Sequence, residues 1–241
     1  DQTRELRELD AARTNLLSAL SRYGPRLLGR YRDANGMCSE PLEILSALYN
    51  GEMQPVLDPT GDAGQYLPYK RISFGLDALE LKGASANTSR FGAIVSIKDY
   101  PAYTAPGMLD NLLRLPHELT MTESFAFIDR QIADERIGLA LRRLRAASDE
   151  TTTLRQGLLG AKDDLTGGAA AYGEHHLTVH VRAMTLAALD AAVADVQASL
   201  ADIGAVAVRE DLNLESAFWG QFPGNADFIA RKALVSTANL S

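Results

Sequence analysis

Three of the four histidines lie close together, at His175, His176 and His180. Imidazole is the side chain best suited to hold a metal or move a proton near neutral pH. On a strand, His176 and His180 would share one face and His175 would take the other. Two imidazoles on one face, joined by Glu174 or another group, could grip a metal. The spacing matches no strong zinc signature, however, and the single cysteine, Cys38, is distant in sequence. The competing reading is that these histidines sit at a strand end and serve hydrogen bonding or assembly. Glu118 and Glu123 lie near His117, and Asp163 and Asp164 are adjacent. Carboxylates act as an acid–base pair only where a pocket joins them, and a solvated helix end accounts for Asp163 and Asp164. Arg142, Arg143 and Arg145 form a small basic patch with Asp134 and Glu135 behind it, which reads as a solvent-exposed helix face. No Gly-x-Ser-x-Gly elbow is present and Cys38 has no nearby histidine. The firmest negative concerns nucleotides. A phosphate-cradling loop ends in Gly-Lys-Ser or Gly-Lys-Thr. The five lysines, Lys70, Lys82, Lys98, Lys162 and Lys232, follow Tyr69, Leu81, Ile97, Ala161 and Arg231, so no Gly-Lys pair exists. No residue is assigned a catalytic, cofactor-binding or metal-ligating role.

The elements that would carry these residues follow from periodicity. Leu6, Leu9, Leu16, Leu17 and Leu20 predict an amphipathic helix over residues 1–23, stopped by Gly24-Pro25. Gly36 marks a turn. Ser39-Glu40-Pro41 opens a second helix through Leu42, Leu45 and Leu48, with Ser39 as N-cap and a stop at Asn50-Gly51. Pro55, Pro59, Pro68, Gly61 and Gly64 make residues 51–69 a linker wrapped over the next domain. Ile72, Phe74, Leu76, Leu79 and Leu81 read as one long or bulged strand, paired as a hairpin with a strand over Phe91–Ile97 that ends at Tyr100 to Tyr103. Pro106 opens a short helix and Pro116 closes it.

Leu119, Met121, Phe125 and Phe127 share one parity and predict a half-buried strand. Asp129 caps a long helix through Ile132, Ile137, Leu141 and Leu144. A second helical stretch runs through Leu154, Leu158 and Leu165 to Gly167-Gly168; the two form a bent hairpin or one helix broken near Ser148-Asp149. Leu177, Val179 and Val181 predict the strand that carries the histidines. Leu186, Leu189, Val193, Val196 and Leu200 then give the clearest helical spacing in the chain, stopped by Gly204. Val206 and Val208 make a short strand, so residues 175–209 read as a β-α-β unit. The sum is an α+β fold, a mixed sheet with helices packed on one face, of which a ferredoxin-like variant is one form, plus an N-terminal helical segment.

Composition narrows the partners. The chain of 241 residues carries a net charge of −7, which counts against a nucleic-acid role. One cysteine allows no internal disulfide, which fits a reducing compartment. No run reaches the ~18 apolar residues that a membrane helix needs. The start at Asp1-Gln2-Thr3-Arg4 and the unfinished run from Leu234 to Ser241 suggest a piece of a longer protein.

The stretch Phe218-Trp219-Gly220-Gln221-Phe222-Pro223-Gly224-Asn225 holds the one tryptophan between two phenylalanines, ahead of a Pro-Gly-Asn turn. Its residue types predict a sharp reversal anchored by aromatic packing. It resembles the F-W-x-Q-[LF]-P-G-N signature of the type IV secretion ATPases, the VirB/TrbE/CagE group, with Phe222 where leucine is usual. Ser124 to Gln131 resembles that family's strand-to-helix junction, Gly173-Glu174-His175-His176-Leu177-Thr178-Val179 its G-E-H-H-L-T-V strand, and Ala233 to Ser241 its I-S-S-x-N run. The resemblance spans roughly residues 40–241.

The Pro/Gly run and the change of pattern at Tyr69 divide the chain into 1–68, a helical segment and Pro/Gly-rich linker, and 69–210, the α+β core; the resemblance implies that 211–241 is a connector toward an absent C-terminal ATPase domain. It implies a non-catalytic assembly and docking domain of a bacterial secretion ATPase, in the cytoplasm and peripheral at the inner membrane. Its partners would be other copies of the ATPase and inner-membrane components of the secretion machine, with ATP and Mg bound only in the parent protein. Two rivals from other classes are a small α+β enzyme using the His175, His176 and His180 region, and a ferredoxin-like nucleic-acid binder.

Overall fold

The computed structural model describes residues 2–101, 104–146 and 152–239. It divides into two compact units, Asp1–Pro68 and Tyr69–Ser241.

In the first unit, helix α1 (Gln2–Ala19) has no buried residue, and Leu6, Leu9 and Leu16 of its apolar stripe are exposed. Strands β1 (Arg30–Arg32) and β2 (Met37–Ser39) form an antiparallel hairpin that periodicity had shown only as a turn at Gly36. Asp33 closes that turn: its Oδ1 accepts from the amides of Asn35 and Gly36. Helix α2 (Glu40–Asn50) starts after Ser39, whose backbone is extended but whose side chain makes no cap hydrogen bond, and stops at Gly51 with φ 79°. The Pro-rich run is held down rather than loose. Ser46 Oγ and Asn50 Nδ2 both donate to the carbonyl of Leu67, each at 2.8 Å, and buried Cys38 bridges Leu57.

The second unit is built on one seven-stranded sheet. Its strands are β3 (Arg71–Phe74), β4 (Leu79–Lys82), β5 (Arg90–Asp99), β6 (Glu118–Phe127), β7 (Tyr172–Ala183), β8 (Val206–Arg209) and β9 (Ala233–Ser236). The predicted long strand over residues 72–81 is two strands, β3 and β4, paired as a hairpin. The apolar parity shifts between Leu76 and Leu79, which a turn allows and a straight strand does not. Every pairing among the described residues is antiparallel. Strand β5 pairs β7 on one edge, and β4 and then β8 on the other. Strand β7 likewise pairs β5 and β9 end to end on one side and β6 on the other.

The order β8-β5-β7-β6 is that of a ferredoxin-like sheet. Its two crossovers carry helix α3 (Asp110–Leu113) and helix α6 (Leu186–Asp202). The β-α-β unit predicted over 175–209 is present but split: β7 and β8 run parallel to each other with β5 between them. Helix α6 explains why this face is dry. Thr185 Oγ1 accepts from the Ala188 amide at 3.2 Å. Leu189, Ala192, Val193, Val196 and Leu200 then pack on Ala93, Val95, Leu177, Val179 and Val181. Burial of such a face stabilises the unit by about 25 cal/mol per Å² of apolar surface removed from water.

Helices α4 (Arg130–Ala146) and α5 (Thr152–Gly167) interrupt the sheet between β6 and β7. They share a second core of Ala133, Ile137, Leu141, Leu165 and Tyr172, so the pair is a hairpin and not one broken helix. The expected break near Ser148-Asp149 lies outside the described residues, as do Ala102 and Tyr103 at the expected end of β5. Arg142 and Arg143 are exposed, as a solvated face requires; the side chain of Arg145 is outside the described residues. Helix α7 (Leu214–Gly220) follows β8 on the sheet's opposite face, where a turn alone was expected.

Candidate functional site

Strand β7 sorts the three histidines onto two faces. His175 shares its face with Leu177 and Val179, at the edge of the α6 core. Its Nδ1 lies 2.7 Å from the Tyr100 hydroxyl and its Nε2 lies 2.7 Å from Glu123 Oε1. A neutral imidazole has one donor and one acceptor, and a carboxylate only accepts. In that form Nε2–H donates to Glu123, and Nδ1 accepts from Tyr100. The hydrogen bond from His175 holds the Glu123 carboxyl below its usual range, and burial pushes the Tyr100 phenol up. This relay forms one wall of a cavity of about 290 Å³ that is otherwise mostly apolar, with Met108, Leu109 and Ile203, and with Asp110 also on its lining.

His176 and His180 lie on the opposite face, as the parity predicts. His176 is 4% exposed, and its Nδ1 reaches Ser124 Oγ at 3.5 Å. Burial lowers its pKa to about 4. His180 is pressed edge-on against Phe218, ring centroids 5.8 Å apart. Burial, and after it the charge of Arg182, lower its pKa to about 3, so it is neutral. Neither of its ring nitrogens, nor either polar atom of the Gln221 amide, closes a hydrogen bond. Gly92 makes room for the ring: a Cβ there would stand 2.6 Å from Nε2. No group of three or more His, Cys, Asp or Glu among the described residues is placed to hold a metal. The other residues considered for chemistry are dispersed. His117 Nε2 lies 2.8 Å from Asp195, Glu118 pairs with Arg90, Asp163 and Asp164 are exposed, and Cys38 is in the other unit.

The aromatic stretch forms the lid of this second face. Phe218 is fully buried and makes edge contacts with Phe74, Trp219 and Phe222 at 5.6, 5.2 and 6.0 Å. Thus phenylalanine, not tryptophan, is the deep anchor. Trp219 is half-buried and lines an open hollow with Leu212, Phe228 and Glu215. The reversal after α7 is secured by Asn225, whose Nδ2 donates to the Trp219 carbonyl at 3.1 Å, and by Gly224 with φ 89°. Beyond it, Arg231 grips Glu210 through Nε at 2.6 Å and Nη2 at 3.3 Å. Glu210 is fully buried at the end of β8, and its amide donates to the Ile94 carbonyl. The chain then returns to the sheet as β9. Sequence periodicity gave no hint of the Glu210–Arg231 pair or of the Tyr100–His175–Glu123 relay.

The chain belongs to the CagE, TrbE, VirB family, component of type IV transporter system, whose model matches residues 26–231. This is the family that the aromatic stretch and the paired-histidine strand resemble. Among individual proteins, the chain is 33% identical over 236 residues, 98% of its length, to the type IV secretion system protein virB4 of Bartonella henselae. It is 32% identical over 241 residues, its whole length, to protein virB4 of Agrobacterium fabrum. It is 27% identical over 248 aligned positions to the type IV secretion system protein virB4 of Brucella suis. In each case the chain spans about 30% of the relative's own length. No helix among the described residues is long and apolar enough to cross a membrane.

Proposed function

We propose that this chain is the non-catalytic assembly domain of a virB4-type secretion ATPase, preceding the ATPase domain in the parent protein. It docks the parent onto inner-membrane components of the secretion machine and onto neighbouring copies, from the cytoplasmic side. Nucleotide and Mg belong to the parent, because the chain has no Gly-Lys pair with which to cradle phosphates. The division into 1–68, 69–210 and 211–241 then acquires roles: a helical segment, the α+β body, and the connector toward the ATPase domain.

The observation that carries this reading is the fastening of the family's aromatic signature to the sheet. Phe218 is buried against His180, and Arg231 is locked to buried Glu210. Movement of an attached domain would pass through this corner into the body of the fold. A packed contact transmits such movement better than a flexible linker does.

The test compares ATP binding and turnover by the 241-residue chain with those of the full-length parent. The expected result is no binding and no turnover in the short chain, with turnover in the parent. Turnover by the short chain would overturn the proposal, since it would demand a nucleotide site without a phosphate-loop lysine.

A further inference from the structure

We infer that the outer edge of β6 is a strand-addition site for an extended, basic segment of a partner protein. The inference rests on the docking reading and says where docking occurs. β6 runs for 10 residues and pairs with β7 at every one, Glu118↔Arg182 through Phe127↔Gly173, without a register shift. Its other edge pairs with no strand among the described residues. Proteins usually blunt such an edge by keeping it short, by a bulge, or with proline and lysine, because unpaired backbone groups recruit other chains. β3, which ends the strand order opposite β6, has only 4 residues. β6 is neither short nor bulged and contains no Pro, Lys or Arg, and its two charged side chains, Glu118 and Glu123, are engaged within the fold by Arg90 and His175.

The surroundings of the edge specify the occupant. An added strand would send alternate side chains to the two faces of the sheet. A hollow waits on each face. On the α6 face is the 290 Å³ cavity, which β6 borders through Glu123 alone; its lining holds the carboxylates of Glu123 and Asp110 and no Lys or Arg among the described residues. The hydrogen bond from His175 keeps Glu123 ionised near neutral pH. On the opposite face a groove of about 400 Å³ runs between Thr122–Ala126 and the aromatic corner at Phe222–Asn225. Lys232 in that groove is already turned toward Glu174 at 3.9 Å. Basic side chains therefore suit the first hollow, and apolar ones suit the second against Phe222. A second copy of this chain is a poor occupant, because pairing β6 with itself would bring the Glu118 and Glu123 carboxylates of two acidic chains together.

The test uses a fluorescent ten-residue peptide of alternating lysine and valine, titrated into the 241-residue chain. Two further peptides accompany it: one N-methylated at alternate backbone positions, and one with glutamate for lysine. Binding should weaken at least about tenfold on N-methylation, because the charges remain while the strand's donors are lost. The Glu123→Gln variant, which can still accept from His175, should weaken the lysine peptide by about tenfold and, by removing a repulsive charge, should not weaken the glutamate peptide. Amide hydrogen exchange over residues 118–127 should slow when the peptide is bound. Equal binding of the methylated peptide, unprotected β6 amides, or concentration-dependent self-pairing through β6 would each overturn the inference. If peptide binding fails while the short chain also lacks ATP turnover, docking stands on another surface. If the short chain turns over ATP, the docking reading itself falls.

Discussion

Lowering the pH from 7 to 5 should destabilise the fold through His180. Its pKa falls from the usual imidazole value near 6.5 to about 3 on folding. The sign follows from proton counting. Below pH 6.5 the unfolded chain takes up a proton that the native chain refuses, so acid favours unfolding until the pH nears 3. Each pH unit in that range costs about 1.4 kcal/mol, which gives about 2 kcal/mol at pH 5 for this one group. His176, lowered to about 4, acts in the same direction. Carboxyls held low by hydrogen bonds, such as Glu123 and Glu40, lose their contribution only at more acid pH. Urea unfolding at pH 7 and pH 5 measures the loss, and the His180→Gln variant isolates it. The drop between the two pH values should be about 2 kcal/mol smaller in the variant. An equal drop in both chains, or a His180 ring that titrates near pH 6.5 by NMR, would show that burial does not hold this imidazole neutral.

The remaining expectations concern the corner and the sheet beneath it. Phe218→Ala should cost about 3–5 kcal/mol in thermal or urea unfolding, as deletion of a fully buried ring does, whereas Trp219→Ala should cost clearly less; in the full-length parent, Trp219→Ala should spare folding and impair secretion in a transfer assay. Arg231→Ala leaves the buried Glu210 carboxylate unpaired and should cost about 3–5 kcal/mol, while the double change Arg231→Met with Glu210→Leu should recover most of it. Gly92→Ala places a methyl 2.6 Å from His180 Nε2 and 2.9 Å from Leu79 Cδ1, and should lower stability by about 1–3 kcal/mol on a calorimetric scan.

Local signals served the fold well wherever one element carried its own pattern. α6 was legible from Leu189, Val193, Val196 and Leu200 with Gly204 behind them, and α2 from Ser39, Pro41 and Gly51. Short strands were legible only in part: Val206 and Val208 marked β8, but other strands of three or four residues were missed. β1, β2 and β9 are too short for alternation to stand out, and their partners are set by tertiary pairing. β9 meets β7 about 60 residues upstream in the chain, as in Tyr172↔Ser236. The same distance hid the chemistry. His175 was visible as a candidate, but Tyr100 and Glu123 lie 75 and 52 residues from it. Only the sheet register brings them together. The aromatic stretch was recognised as an anchor, yet which ring goes inside depends on the helical turn of α7, which Pro223 and Gly224 concealed.

The way β9 lies on β7 has a mechanical consequence. Four rungs join them, from His175↔Ala233 to Tyr172↔Ser236, and β7 continues past them into the ladder with β5. A tug on Ser236 along the strand axis strains all four rungs at once, in shear. A tug across the axis opens them one by one, like a zipper. Drawn lengthwise, this end of the chain is stiff; pulled sideways, it peels. The fold therefore responds to the direction of a force as well as to its size.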